Sequence, residues 1–195
     1  FTEELYSPDE AVRLAMENRA SGPFVIADTQ DNPGAGGNSD TVGMLEALLR
    51  CNADSAVLAI FYDPEVAEAA HEAGKGGSFK ASLGAKSGQP GQRPYDGKFR
   101  VERLGDGCFT ATGPMWRGAR IDLGPMALLQ VEDEAVEQVS PLLLCSHESV
   151  VLGRLQLSQR RHRVGAGDHA GRRRGLVVLR PVVAVVVVVV AAVAH

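Results

Sequence analysis

Hydrophobic and polar positions along this chain follow two different periods, and the change falls near residue 74. Ser7-Pro8-Asp9-Glu10 has the S-x-x-E spacing of a capping box with proline at the first helical position, and Ala11, Leu14, Ala15 and Ala20 follow at roughly helical spacing. A helix is predicted over about 8–19. Phe24-Val25-Ile26-Ala27 is a short apolar run ending at Asp28, the pattern of a buried parallel strand running into its loop. Residues 29–39 form a Gly-rich loop, after which Asp40 to Leu49 place Val42, Met44, Leu45, Leu48 and Leu49 on one helical stripe. Ala56 to Phe61 is a second buried strand, and Asp63-Pro64-Glu65 starts a helix that Gly74 closes. Two successive βα units predict a parallel sheet with right-handed crossovers.

Beyond Gly74 the period shortens to two. Phe79, Ala81 and Leu83 alternate with polar neighbours, as do Phe99 and Val101, then Phe109 and Ala111. The stretch 84–97 is rich in glycine and proline and reads as one long loop, the kind that is often functional in a compact domain. Arg120 to Met126 and Ala127 to Val131 suggest one or two further strands. The expected class is therefore α/β: parallel-sheet βα units followed by a β-rich half, with a poorly ordered C-terminal tail. The division falls at 131, giving an incomplete domain over 1–131 and an atypical Arg/Val-rich tail over 132–195.

Charge sharpens that division. Residues 1–150 carry 12 Lys+Arg against 23 Asp+Glu, whereas residues 151–195 carry 8 Arg against Asp168 alone. An acidic first part is not the footprint of a nucleic-acid binder, and no nucleic-acid partner is expected. Residues 182–194 are only Val and Ala, a 13-residue run that falls short of the roughly 20 apolar residues a membrane helix needs, so no membrane span is expected. Cys51, Cys108 and Cys145 form an odd set without CxxC spacing, which suits a reduced cytoplasmic setting and small core roles rather than nucleophiles or a zinc ribbon. The chain opens Phe1-Thr2-Glu3 with nothing resembling a signal peptide, and a fragment of a longer protein is the simplest reading.

The candidate chemistry lies in the first loop. Gly34-Ala35-Gly36-Gly37-Asn38-Ser39 nearly fits G-x-G-x-x-G, but Ser39 takes the last position, and Asp28, Asp31 and Asp40 would repel a pyrophosphate. Three carboxylates and Asn32 around a glycine-bent loop at a strand's carboxyl end suit a cationic group, a metal shell or a polar substrate better. The same residues could serve structure alone, with Asp40 or Ser39 capping the helix and Asp28 or Asp31 bonding the turn. His147-Glu148 lacks the second histidine of H-E-x-x-H, Gly84-Ala85-Lys86-Ser87 misses the Walker pattern, and no G-x-S-x-G elbow is present. His71, beside Glu68 and Glu72, reads as a surface or capping histidine, and His162 and His169 lie in the biased tail.

From Val25 to Thr41 (Val-Ile-Ala-Asp-Thr-Gln-Asp-Asn-Pro-Gly-Ala-Gly-Gly-Asn-Ser-Asp-Thr) the chain resembles the C-terminal domain of the microcystinase (MlrC) family of metallopeptidases. The likeness continues through Phe61 to Glu65, Ala69 to Gly74, Leu83 to Gly88 and Ala119 to Met126, and covers about 8–131. The resemblance implies a bacterial zinc-dependent hydrolase of peptide-like amide bonds, in which zinc polarises the scissile carbonyl and activates water. It also implies that the zinc is held by an N-terminal metal-binding domain that is missing from this chain and would be its partner, so that the fragment alone is inactive. Asp28, Asp31, Asn32, Gly34, Gly36, Gly37 and Asp40 would then line a cleft for a peptide-like small substrate, with no metal ligand among them. The alternatives are a non-enzymatic small-molecule or phosphate-binding module using the Gly-rich loop, and an inactive truncated product. After Val131 the family's further strands are not found, and the Arg- and Val-heavy composition is what a shifted frame in a GC-rich gene would produce. Another frame of the coding DNA is then expected to restore family-like sequence.

Overall fold

The computed structural model describes residues 5–18, 24–31, 33, 36–53, 56–112, 117–132, 142–146 and 185–188. Its elements are helices α1 (Pro8–Glu17), α2 (Gly43–Arg50) and α3 (Pro64–Ala73) and strands β1 (Phe24–Ile26), β2 (Ala56–Tyr62), β3 (Ser78–Leu83), β4 (Tyr95–Gly105), β5 (Cys108–Thr110), β6 (Arg120–Asp122), β7 (Met126–Glu132), β8 (Leu142–Ser146) and β9 (Val185–Val188). Nine strands with three helices among the described residues sustain the α/β class. The main sheet is mixed, in the order β1-β9-β2-β8-β7-β4-β3, with parallel pairing from β1 to β8 and antiparallel pairing from β8 to β3. β5 and β6 form a separate antiparallel pair. β1 and β2 do run parallel, but β9 lies between them rather than the two pairing directly. Two segments of the stretch 132–195 are thus strands of the sheet, and the expectation of a poorly ordered tail otherwise lies outside the described residues.

The capping box forms as the spacing predicts. Ser7 N donates to Glu10 Oε2 at 2.9 Å, and Glu10 N donates to Ser7 Oγ at 3.4 Å. α1 stops at Glu17, before the predicted residue 19, where the Asn18 side-chain amide donates to the Leu14 carbonyl at 2.8 Å and takes up a C-terminal acceptor. α2 starts at Gly43 rather than Asp40, because Asp40 is engaged with a distant loop and no side chain caps the helix. α3 follows its sequence signals closely, with Asp63 at the N-cap, Pro64 at the first position and Gly74 closing the helix at φ 72°.

The predicted 84–97 loop is shorter than expected, since β4 begins at Tyr95, opposite Leu83. Pairing overrides the local breakers Asp96 and Gly97: the Tyr95 ring covers Gly97, and Tyr95 and Phe79 both stack against the buried Phe99, with ring centroids 6.2 Å and 5.9 Å away. β7 alternates cleanly, burying Ala127, Leu129 and Val131. These join Val12, Leu45, Leu48, Leu58, Phe61, Val66 and Phe99 in one contiguous core, against which α3 packs over β3, β4, β7 and β8. No helix among the described residues is long and apolar enough to cross a membrane.

Candidate functional site

Where β1, β2 and β3 end, three segments meet: the loop 27–42, the start of α3, and the loop after Leu83. In an open α/β sheet the carboxyl ends of parallel strands are where ligands sit, because the loops diverge there and leave a crevice. Backbone hydrogen bonds stitch the three segments together. Tyr62 N donates to the Ser39 carbonyl at 2.8 Å, and Ala85 N donates to the Asp40 carbonyl at 2.7 Å. Gly84 makes this close approach possible: it sits at φ 74°, and a Cβ there would come within 2.5 Å of the Asp40 carbonyl oxygen and 2.7 Å of the Phe61 ring.

The carboxylates of this region bind backbone amides. Asp28 Oδ1 accepts from Gln30 N at 2.8 Å and Asp31 N at 3.0 Å, the turn role that the sequence allowed. Asp31, buried, accepts from Ser39 N and Thr41 N, each at 2.8 Å, and so ties the loop's start to its end. Asp40, also buried, accepts from Ser87 N at 2.8 Å and Ser87 Oγ at 2.9 Å, and this tertiary contact replaces the expected helix cap. Fully buried Asp63 does three things: it caps α3 through Val66 N at 3.2 Å, accepts from Gly84 N at 2.8 Å, and holds Lys86 Nζ at 2.7 Å. Lys86 Nζ also meets Glu65 Oε2 at 2.6 Å, though that carboxylate is 79% exposed. Burial pulls the Lys86 pKa down, but hydrogen bonds and charge from Asp63 and Glu65 outweigh it and leave the ammonium above the ordinary lysine value.

Between these segments lies a cavity of about 350 Å³ lined by Asn38, Asp40, Tyr62, Pro64, Glu65, Lys86 and Ser87. Ser39 sits at φ 60° with its hydroxyl buried and unpartnered among the described residues. Holding a non-glycine residue there costs about 1–3 kcal/mol, and such strain concentrates at functional sites. Its neighbours Asn38 and Asp40 both line the cavity. Of the loop residues expected in the cleft, Asp40 lines it, whereas Asp28 and Asp31 brace the loop from behind. Gly36 turns at φ 94° with its amide on the Pro33 carbonyl, Gly37 follows outside any turn, and Asn32 and Gly34 lie outside the described residues.

Tyr62, Glu65, Lys86 and Ser87 were not among the residues singled out from sequence for the cleft. Lys86 and Ser87 lie in the Gly/Pro-rich stretch that reads as a functional loop and in the Leu83 to Gly88 segment of the resemblance, but nothing local pairs them with carboxylates 23 and 47 positions away. His71 is exposed on α3, and its Nε2–H donates to the Met126 carbonyl at 3.1 Å, as a surface role requires. Cys51 packs against the core, but Cys108 is exposed, which corrects its expected core role. Desolvation and the Asp122 carboxylate raise the Cys108 thiol pKa, away from nucleophilic use. His147, His162 and His169 lie outside the described residues.

A structural zinc needs four converging N, O or S ligands, and a catalytic one needs three with an open position. Among the described residues no group of three or more His, Cys, Asp or Glu could hold a metal ion. The cleft carboxylates are instead taken up by amides, Ser87 and Lys86. These residues do not fit a zinc centre.

Comparison with known proteins bears on the same segments. The profile of the family described as MlrC C-terminus matches residues 26–151. Microcystinase C of Sphingomonas sp is 27% identical over 84 residues, covering 43% of this chain and 17% of that protein. A crystal structure of a Mesorhizobium sp. BNC1 protein named as a metallopeptidase superposes with a TM-score of 0.60 at 23% identity, over 76% of this chain and 28% of that one. The chain therefore spans less than a third of the length of either relative.

Proposed function

The chain belongs to the MlrC C-terminus family, and from that premise we propose that it is the substrate-facing part of a longer metal-dependent hydrolase of peptide-like amide bonds. The observation that carries this reading is the cavity at the carboxyl ends of β1 and β2, bounded by the side chains of Asp40, Tyr62, Glu65, Lys86 and Ser87. In this reading zinc is held by a metal-binding domain in the portion of the relatives that this chain does not span. The residues here line one wall of the substrate path, where Lys86, with two of its three ammonium protons on Asp63 and Glu65, keeps one donor for the peptide, and the Ser87 hydroxyl, its proton given to Asp40, offers an acceptor. A reducing bacterial cytoplasm suits the free thiols of Cys51 and Cys108.

The rival reading, a phosphate-binding module on the Gly-rich loop, meets an obstacle in the hydrogen bonding. An anion at such a loop is held by free backbone amides. Here the amides of Gln30, Asp31, Ser39 and Thr41 already serve Asp28 and Asp31. The test is to mix this chain with the separately produced remainder of Sphingomonas Microcystinase C and follow short-peptide hydrolysis with and without a chelator. Chelator-sensitive hydrolysis in the mixture, reduced tenfold or more by Lys86→Gln or Asp40→Asn, is expected. Hydrolysis indifferent to both substitutions overturns the reading.

A further inference from the structure

A second cavity, of about 470 Å³, opens at the same edge of the sheet and differs in chemistry from the first. Its lining is apolar except for Arg103: Ile60, Leu104, Phe109, Leu123, Met126 and Leu128 supply the side chains, with Gly105 at the rim. Leu104 is 36% exposed and Phe109 46% exposed, although both belong to paired strands. Single exposed apolar residues mean little, but a contiguous apolar groove marks an interaction surface.

Strand register fixes where this groove lies relative to the cleft. Tyr62 pairs with Ser146, Ser146 with Met126, and Met126 with Gly105. One row across the sheet therefore joins Tyr62, in the polar cavity, to Met126 and Gly105, in the apolar groove. Three strand spacings of about 4.8 Å put the two ends of the row about 14 Å apart. On β2 the register shifts between Ala59 and Phe61, leaving Ile60 unpaired with β8 and in the lining of the groove. Met126 and Leu128 alternate with the buried Ala127 and Leu129, so the groove lies on the face of β7 away from the core, at the same level of the sheet as the cleft.

We infer that this groove is the docking face for the metal-bearing portion of the longer protein, an inference that rests on the functional reading above. The choice of occupant follows from length. The relatives carry most of their chain outside the matched part, which spans 17% of one and 28% of the other. The matched residues 26–151 include every residue of the groove. Docking there buries Leu104 and Phe109 at the level of the sheet where the cleft opens.

The experiment measures association, by sedimentation and titration calorimetry, between the intact chain and the remainder of Sphingomonas Microcystinase C. The wild type and Lys75→Gln, a change at an exposed position just past the end of α3 and outside both cavities, are expected to bind alike, while L104D/F109D weakens binding at least tenfold. Because both substituted positions are partly exposed, an unchanged circular-dichroism spectrum and melting midpoint are expected to show that the double variant is folded. Equal binding by L104D/F109D, or no association of the wild type, overturns the inference. So does a wild-type homodimer that L104D/F109D dissolves, since a second copy would then be the occupant. Groove-dependent association without peptide hydrolysis would leave the docking face standing and remove the functional reading.

Discussion

The two halves of the sheet stabilise their backbone by different means. In β3, β4 and β7 the ladder satisfies the amides and carbonyls, alternation buries one face, and Phe99, Leu129 and Val131 fill it. At the ends of β1 and β2 the backbone leaves the ladder, and buried carboxylates replace the missing strand: Asp31 accepts from the far end of its own loop, while Asp40 and Asp63 accept from the loop after Leu83, 47 and 21 positions away. The first solution depends on volume and tolerates polar change on its outer face. The second depends on single oxygen atoms, leaves a cavity, and holds Ser39 and Gly84 at positive φ. A cleft needs diverging loops, and diverging loops need such acceptors.

The contrast can be broken first at its two centres. Phe99→Ala is expected to cost about 3–5 kcal/mol by cavity formation. Asp63→Ala is expected to cost about 3–5 kcal/mol by leaving a charge and two amides without their partner. Denaturant titration reads both, and hydrogen exchange separates them. Asp63→Ala should deprotect the Gly84 and Ala85 amides, whereas Phe99→Ala should loosen β3 and β4; identical exchange patterns would erase the distinction. Gly84→Ala comes next, at about 2–4 kcal/mol from positive-φ strain and overpacking against Asp40 and Phe61. A melting midpoint within a degree of wild type would contradict the close approach.

Smaller effects sharpen the comparison. Asp31→Asn keeps the shape but turns one acceptor into a donor facing an amide, and a loss of about 1–3 kcal/mol is expected by urea titration. Lys86 carries a raised pKa, so its contribution is complete below the ordinary lysine value and is lost as pH rises through the raised one. The stability gap between wild type and Lys86→Met should accordingly stay flat through neutral pH and close only in strong alkali; a gap that changes between pH 6 and 8 would assign the ion pair wrongly. Glu65→Gln should change stability by about 0–1 kcal/mol, since a carboxylate 79% exposed gains little from its lysine.

The same contrast explains what could be read in the sequence. Local chemistry was legible: Ser7 with Glu10, Asp63 with Pro64 and Gly74, and the Asp28 turn all act within a few residues. Strand alternation at Phe79 to Leu83 and Ala127 to Val131 was equally plain, because period and burial coincide there. What escaped was tertiary. Asp40 looked like a helix cap until Ser87 arrived from 47 positions away, and Gly97 looked like a loop until Tyr95 covered it and Ala81 paired with it. The candidate site was half visible, since the loop 28–40 announced itself by composition while Lys86 and Ser87 acquire meaning only beside Asp63 and Asp40.

Zinc content of the purified chain, measured by elemental mass spectrometry after dialysis against trace zinc, tests the central claim most directly. The account predicts far less than one zinc per chain, unchanged by Asp31→Asn or Asp40→Asn, because those carboxylates are committed to the loop. One retained zinc per chain, lost on either substitution, would contradict it and make the cleft itself the metal centre.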